Sequence, residues 1–156
     1  MHSYTITQAD PGDIPELIPL LRQLFAIETD FYFDEEKHAR AFGLIIADVM
    51  CDVAVIRLDG KIIGMATMQP SISTAEGGYV GIIEDVVIDS RHRDKGLGKR
   101  IVGYLIGRAR LKAFAAVKLL ADKTNTPALR FYKSLGFSQT QLLMLRKRIS
   151  DASALA

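Results

Sequence analysis

One cysteine, Cys51, stands in 156 residues, which excludes an intramolecular disulfide and points to a reduced, cytoplasmic setting. No apolar run reaches the length of a membrane span or follows a secretory charge pattern, so no membrane partner is expected. The histidines His2, His38 and His92 are scattered, with no cysteine or acid at ligand spacing, and no metal is expected. Excess charge is also missing: 20 Lys and Arg against 18 Asp and Glu leave +2, too little for a general polyanion binder. Internal repeats are absent. What remains is a chain that is 49% hydrophobic, enough to bury a full core. One compact domain over residues 1–149 is expected, with 150–156 as a frayed tail.

The small net charge is unevenly spread. Arg91, Arg93, Lys95, Lys99 and Arg100 fall within ten residues that hold one acid, Asp94. They follow the apolar strand pattern Ile82-Ile83-Glu84-Asp85-Val86-Val87-Ile88 and surround Gly96 and Gly98 at the start of a helical pattern. Glycines let backbone approach a ligand, and the first amides of a helix point outward with the positive end of its dipole behind them. This is the composition of a phosphate cradle. It is not a magnesium nucleotide loop, because Gly98-Lys99 is followed by Arg100 and not by Ser or Thr.

The remaining elements follow from periodicity. Tyr4–Gln8 predicts a first strand, and Asp13 with Glu16 predicts a capping box for a helix through Ile14, Leu17, Ile18, Leu21, Leu24 and Phe25. Pro19 inside that pattern predicts a kink or a later start. Asp34-Glu35-Glu36 predicts a second helix to about Asp48. Asp52–Leu58 and Lys61–Met68 flank Asp59-Gly60 and predict a hairpin. A loop over Gln69–Gly78 then leads to a strand over Tyr79–Ile88 and a helix over Gly98–Ala113 with a core face of Ile101, Leu105, Ile106 and Ala109. A short strand over Val117–Ala121 implies a parallel crossover, which puts the cradle at a strand's carboxyl end. Thr126 is read as the cap of a helix over Pro127–Leu135 ended by Gly136. Gln139–Arg148 predicts a final strand or strand pair.

Two motifs together resemble the GNAT superfamily of N-acetyltransferases. Arg93-Asp94-Lys95-Gly96-Leu97-Gly98 is similar to that family's loop of Arg or Gln, two variable residues, Gly, one variable residue and Gly or Ala. Asn125, Ala128, Phe131, Tyr132, Leu135, Gly136 and Phe137 are similar to its later segment of Asn, Ala, Phe-Tyr and Gly-Phe. The resemblance covers about Asp52–Lys147, and Ile83-Glu84-Asp85 echoes the glucosamine-phosphate acetyltransferases. It implies an α+β fold, a three-layer α/β arrangement with a mixed central sheet of six to seven strands flanked by about four helices. It also implies acetyl-CoA as cofactor, a small-molecule or peptide primary amine as acceptor, and a homodimer. Asp94 departs from the pattern, standing where many members have glycine and setting a carboxylate beside a diphosphate.

The implied cofactor residues are Arg93, Asp94, Lys95, Gly96, Leu97, Gly98 and Lys99 for the diphosphate. The backbone of Val86, Val87 and Ile88 serves the pantetheine arm, with Asn125, Ala128, Phe131 and Tyr132 on the later helix. Asn125 and Phe131 also read as a turn residue and as aromatic packing. Transfer to an amine needs a base for a nitrogen whose pKa is ~10.4 and a donor for the leaving sulfur. Tyr132 is the candidate donor. Glu84 is the candidate base, with Asp85 ranked after it, since a bulge would change which face each occupies. In the family the acceptor pocket is bordered by segments equivalent to Glu28–Glu36 and Gln69–Gly78. In the first, the acids and Phe31, Tyr32 and Phe33 either suit a cationic amine or start a helix and close the core. Cys51, far from the motifs, argues for direct transfer in a ternary complex. The alternative on the same fold is a non-catalytic CoA sensor. No nucleic-acid partner is expected, because neither basic stretch has a reading helix or interleaved aromatics.

Overall fold

The computed structural model describes residues 3–28 and 30–149. The tail expected from Ser150 onward lies outside the described residues. Of the described residues, those up to Leu120 form one compact unit and 121–149 form a second.

The first unit is built on a five-stranded sheet in sequence order: β1 (Tyr4–Gln8), β2 (Asp52–Leu58), β3 (Lys61–Ser73), β4 (Gly78–Ile88) and β5 (Ala116–Leu119). Neighbours are antiparallel except β4 and β5, which run parallel through the crossover helix α3 (Leu97–Leu111). The unbroken apolar run Val53-Ala54-Val55-Ile56 in β2 is buried throughout, because helices cover both faces of the sheet. Val53 and Val55 join Leu17, Leu20 and Leu21 of α1 (Ile14–Phe25) and Phe42 of α2 (Glu35–Ala47) in one core. Alternation turns Ala54 and Ile56 the other way, where α3 crosses β2, β3 and β4 with Leu97, Ile101, Val102, Leu105 and Ala109 buried. Each fully buried Leu or Ile stabilises the sandwich by about 1.5–3 kcal/mol.

Several expectations are corrected here. The sheet has five strands, not six or seven. The capping box is formed by Asp10 and Asp13 around a single 3-10 turn; Glu16 instead accepts the Ile62 amide at 3.0 Å. α1 starts at Ile14 and runs through Pro19. Strand β3 continues to Ser73, which shrinks the expected Gln69–Gly78 loop to a turn at 74–77. On α3 the inward position is Val102, and Ile106 is half-buried. The Asp59-Gly60 hairpin turn stands as expected, with both residues at positive φ, 50° and 81°.

The second unit contains α4 (Thr126–Ser134), followed by Gly136 at φ 90°. Its N-cap is Asn125, whose Oδ1 accepts the Ala128 amide at 3.2 Å, and not Thr126. Among the described residues, 138–149 form no strand, and Leu142, Leu143, Leu145 and Ile149 are exposed. Leucine-rich segments have modest β-propensity, and a strand exists only by pairing; the expected ladder is not there.

Candidate active site

The site begins where the sheet stops being continuous. β4 pairs with β5 only from Val80 to Ile83, so among the described residues the β5-side edge of 84–88 has no strand partner. Such an edge offers amides and carbonyls that an extended, amide-bearing ligand can pair with. On its other side β4 carries a bulge. Glu84 lies opposite Thr67 and Val87 opposite Met65, so Asp85 and Val86 share the single partner Ala66. Asp85 absorbs the extra residue at φ 52°, a conformation an aspartate tolerates better than most side chains.

The bulge suspends the alternation that would separate Glu84 from Asp85. The Asp85 carboxyl reaches Thr67, whose Oγ1 lies 3.3 Å from Asp85 Oδ2 and 3.1 Å from the Glu84 carbonyl oxygen. Burial pushes the Glu84 carboxyl above its usual range. Burial first, then the charge of Glu84 and more weakly that of Glu28, pushes Asp85 up to about 6 against the opposing hydrogen bond from Thr67. Two adjacent carboxyls displaced toward neutrality are suited to exchanging a proton near physiological pH.

After β4 the chain turns sharply. Asp89 donates its amide to Ile63, and both its carboxylate oxygens take hydrogen bonds at 3.0 Å from Arg91. Those bonds hold the Asp89 carboxyl far below the usual carboxylate range. Asp94 and Gly96 then adopt φ 60° and 72°. The left-handed backbone at Asp94 is one that glycine adopts at less steric cost. Gly96 is the N-cap of α3 and brings no side-chain cap; the first helical bond runs from the Arg100 amide to the Gly96 carbonyl at 3.2 Å. The amides of Leu97, Gly98 and Lys99 precede that bond, while the buried Leu97 side chain anchors the turn to the core.

The expected cluster of five cations divides into separate duties. Arg91 serves Asp89, Arg93 donates through Nε to the Ile88 carbonyl at 3.2 Å, and Arg100 reaches the Tyr4 carbonyl at 3.4 Å. Lys95 and Lys99 are exposed beside the uncapped amides. Uncapped amides, a left-handed glycine and two exposed ammonium groups fit a diphosphate.

In the second unit, Tyr132 follows Ala128 by one turn of α4, with ring contacts to Phe131 (5.1 Å) and Phe137 (6.0 Å). The side-chain oxygen of Asn125 is used by the cap.

In the segment Glu28–Glu36, expected to border an acceptor, several residues make structural contacts. Phe25 stacks on Phe31 at 5.5 Å, the Arg22 guanidinium lies 4.0 Å over Phe33, and Asp34 caps α2. Tyr32 is 89% exposed. An open groove of about 500 Å³ lies between α1 and the β2–β3 turn, reaching Asp89, Arg91 and His92. Glu84 and Asp85 do not line it, and of its carboxylates Glu16 accepts the Ile62 amide and Asp89 is held by Arg91. Sequence reasoning missed Thr67. The available signal was a lone hydroxyl in the otherwise apolar run Ile62–Met68.

An open strand edge, a bulge bearing two protonatable carboxyls and an uncapped helix start define an acyl-transfer fold of the acetyltransferase type. The model of the acetyltransferase (GNAT) family matches residues 18–137, and the chain belongs to that family. It is 40% identical over 80 residues to a glucosamine 6-phosphate N-acetyltransferase of Trypanosoma brucei brucei, covering 50% of this chain and 52% of that protein. An uncharacterized N-acetyltransferase of Methanocaldococcus jannaschii is 24% identical over 143 residues, covering 90% of this chain and 63% of that protein. The chain thus spans between about half and two thirds of the length of these curated relatives. The crystal structure of glucosamine-6-phosphate N-acetyltransferase from Arabidopsis thaliana superposes with a TM-score of 0.74 at 27% identity, covering 93% of this chain and 98% of that one.

Proposed function

We propose that this chain is an acetyl-CoA-dependent N-acetyltransferase that passes the acetyl group directly to a primary amine, on a small molecule or peptide, with both substrates bound. The observation that carries the reading is the sequence of features along one strand and its following turn: bulge with two raised carboxyls, open edge, uncapped helix start. Acetyl-CoA supplies an acetyl group already activated as a thioester. The amides of Leu97, Gly98 and Lys99, with Lys95 and Lys99, hold its diphosphate, and the β4 edge from Val86 to Ile88 orients the pantetheine arm. The Glu84–Asp85 pair takes the ammonium proton, and the Tyr132 hydroxyl holds the proton that the departing sulfur needs. Cys51 supports transfer without a covalent enzyme intermediate: burial first, then Asp48, raises its thiol above the usual range, away from the reactive thiolate.

Titration calorimetry with CoA and acetyl-CoA tests the first half, with micromolar heats expected and silence at millimolar concentration overturning the reading. Thiol release with a panel of amines tests the second half. The relatives named for glucosamine 6-phosphate put that aminosugar first in the panel, beside polyamines, amino acids and peptides. Tyr132→Phe is expected to lower kcat by about 10²-fold or more with CoA heats unchanged. Heats without turnover on any amine would instead identify a CoA-binding regulatory module.

A further inference from the structure

We infer that Thr67 is the positioning residue of this site, its buried hydroxyl holding the Asp85 carboxyl as the acceptor of the ammonium proton and passing the change on to the Glu84 carbonyl. The inference rests on the acetyltransferase reading above. Thr67 is 0% exposed and sits among Met65, Ala66 and Met68, all buried, where a valine would fill nearly the same volume. A hydroxyl at such a place costs desolvation unless it is bonded, so its partners identify its purpose. There are two of them, Asp85 Oδ2 at 3.3 Å and the Glu84 carbonyl at 3.1 Å, for one hydroxyl proton.

That mismatch resolves differently in the two charge states of Asp85. When Asp85 is ionised, Thr67 donates to Oδ2. When Asp85 is protonated, its own O–H donates to Thr67 Oγ1, and Thr67 donates to the Glu84 carbonyl. Taking up a proton therefore exchanges one charge-assisted hydrogen bond, the stronger kind, for two neutral ones. In the step itself an N–H bond of the acceptor ammonium breaks, an O–H bond forms on Asp85, and the nitrogen keeps the electron pair for attack on the acetyl carbon. The charged groups acting on Asp85 are Glu84 on its own strand and Glu28 beyond the end of α1, both negative, with Thr67 facing it from β3. Thr67 alone favours the ionised state, the state a base must start in.

The test replaces the hydroxyl and reads Asp85 directly. In the full chain, the ¹³C carboxyl resonance of Asp85, assigned by its loss in Asp85→Asn, is expected to titrate near 6. In Thr67→Val it should move up by about one unit, while Thr67→Ser keeps the parent value. The acid limb of kcat/KM with glucosamine 6-phosphate should move with it. Thr67→Val would then be about fivefold slower than the parent at pH 6 and equal to it at pH 9. A packing role would slow the variant equally at every pH. An Asp85 resonance that stays put in Thr67→Val, or an acid limb that vanishes in Glu84→Gln but survives in Asp85→Asn, overturns the inference. Should Thr67→Val not fold, Thr67→Ala takes its place, with the same upward movement expected and an unmoved Asp85 resonance overturning the inference. Absent CoA heats would sink the enzyme reading while leaving the Thr67–Asp85 titration to be judged on its own.

Discussion

Asp52 and Asp85 are both carboxylates drawn into the sheet, and they are treated in opposite ways. The Asp52 side chain has 0% exposure, yet it meets Arg108 Nε of α3 at 2.8 Å and Nζ of Lys112, the C-cap of α3, at 2.6 Å. Asp85 meets a hydroxyl and the charges of two other carboxylates. Desolvation penalises either charge, but only at Asp52 do cations compensate for it. A compensated carboxylate ties the C-terminal end of α3 to β2. An uncompensated one is poised to take up a proton, which costs stability and is useful only for chemistry.

The widest gap between the two should appear on removing each carboxylate. Asp52→Ala leaves Arg108 and Lys112 facing each other across a buried site, and urea unfolding should show a loss of about 3 kcal/mol or more. Asp85→Asn should do the reverse. Its folded pKa, raised to about 6, means that ionisation is disfavoured in the native state. Stability from this group is complete below the unfolded value of about 3.9 and is lost as pH rises through about 6. The amide should therefore stabilise the fold by up to about 3 kcal/mol at pH 7 and by almost nothing at pH 4, while acetyl transfer falls. Asp89 is the intermediate case, buried but paired with the exposed Arg91. Asp89→Asn should cost about 1 kcal/mol at pH 7. That difference should fade as pH falls below 4, because a carboxylate with a depressed pKa stabilises above its unfolded value and ceases to as it protonates.

How far each feature could be read beforehand depended on how local its cause is. The hairpin at Asp59-Gly60, the N-terminus of α2 at Asp34 and the glycine-bearing turn before α3 are set by a few neighbouring residues and were legible. The capping box was misplaced by three residues because Asp10, Asp13 and Glu16 all offer the same spacing. Only the packing of Arg57, 2.7 Å from Asp13, and of the Ile62 amide, 3.0 Å from Glu16, assigns the carboxylates their partners. The 69–78 segment reads as loop because Pro70 and Gly77–Gly78 punctuate it. In the fold β4 supplies a ladder out to Ser73, which overrides that signal.

The linear order of residues by itself determined the β2–β3 hairpin, the switch to parallel pairing across α3, and the glycine-bearing turn that opens α3. Periodicity and glycine placement act over one turn or one hairpin, and such rules are written along the chain. Only the tertiary structure decided that Asp85 and Glu84 both lie within reach of Thr67, that Arg91 is used by Asp89, and that β5 leaves β4 at Ile83. A bulge, a desolvated charge and an open strand edge each depend on groups distant in sequence that share the same few ångströms, and no local pattern encodes that coincidence.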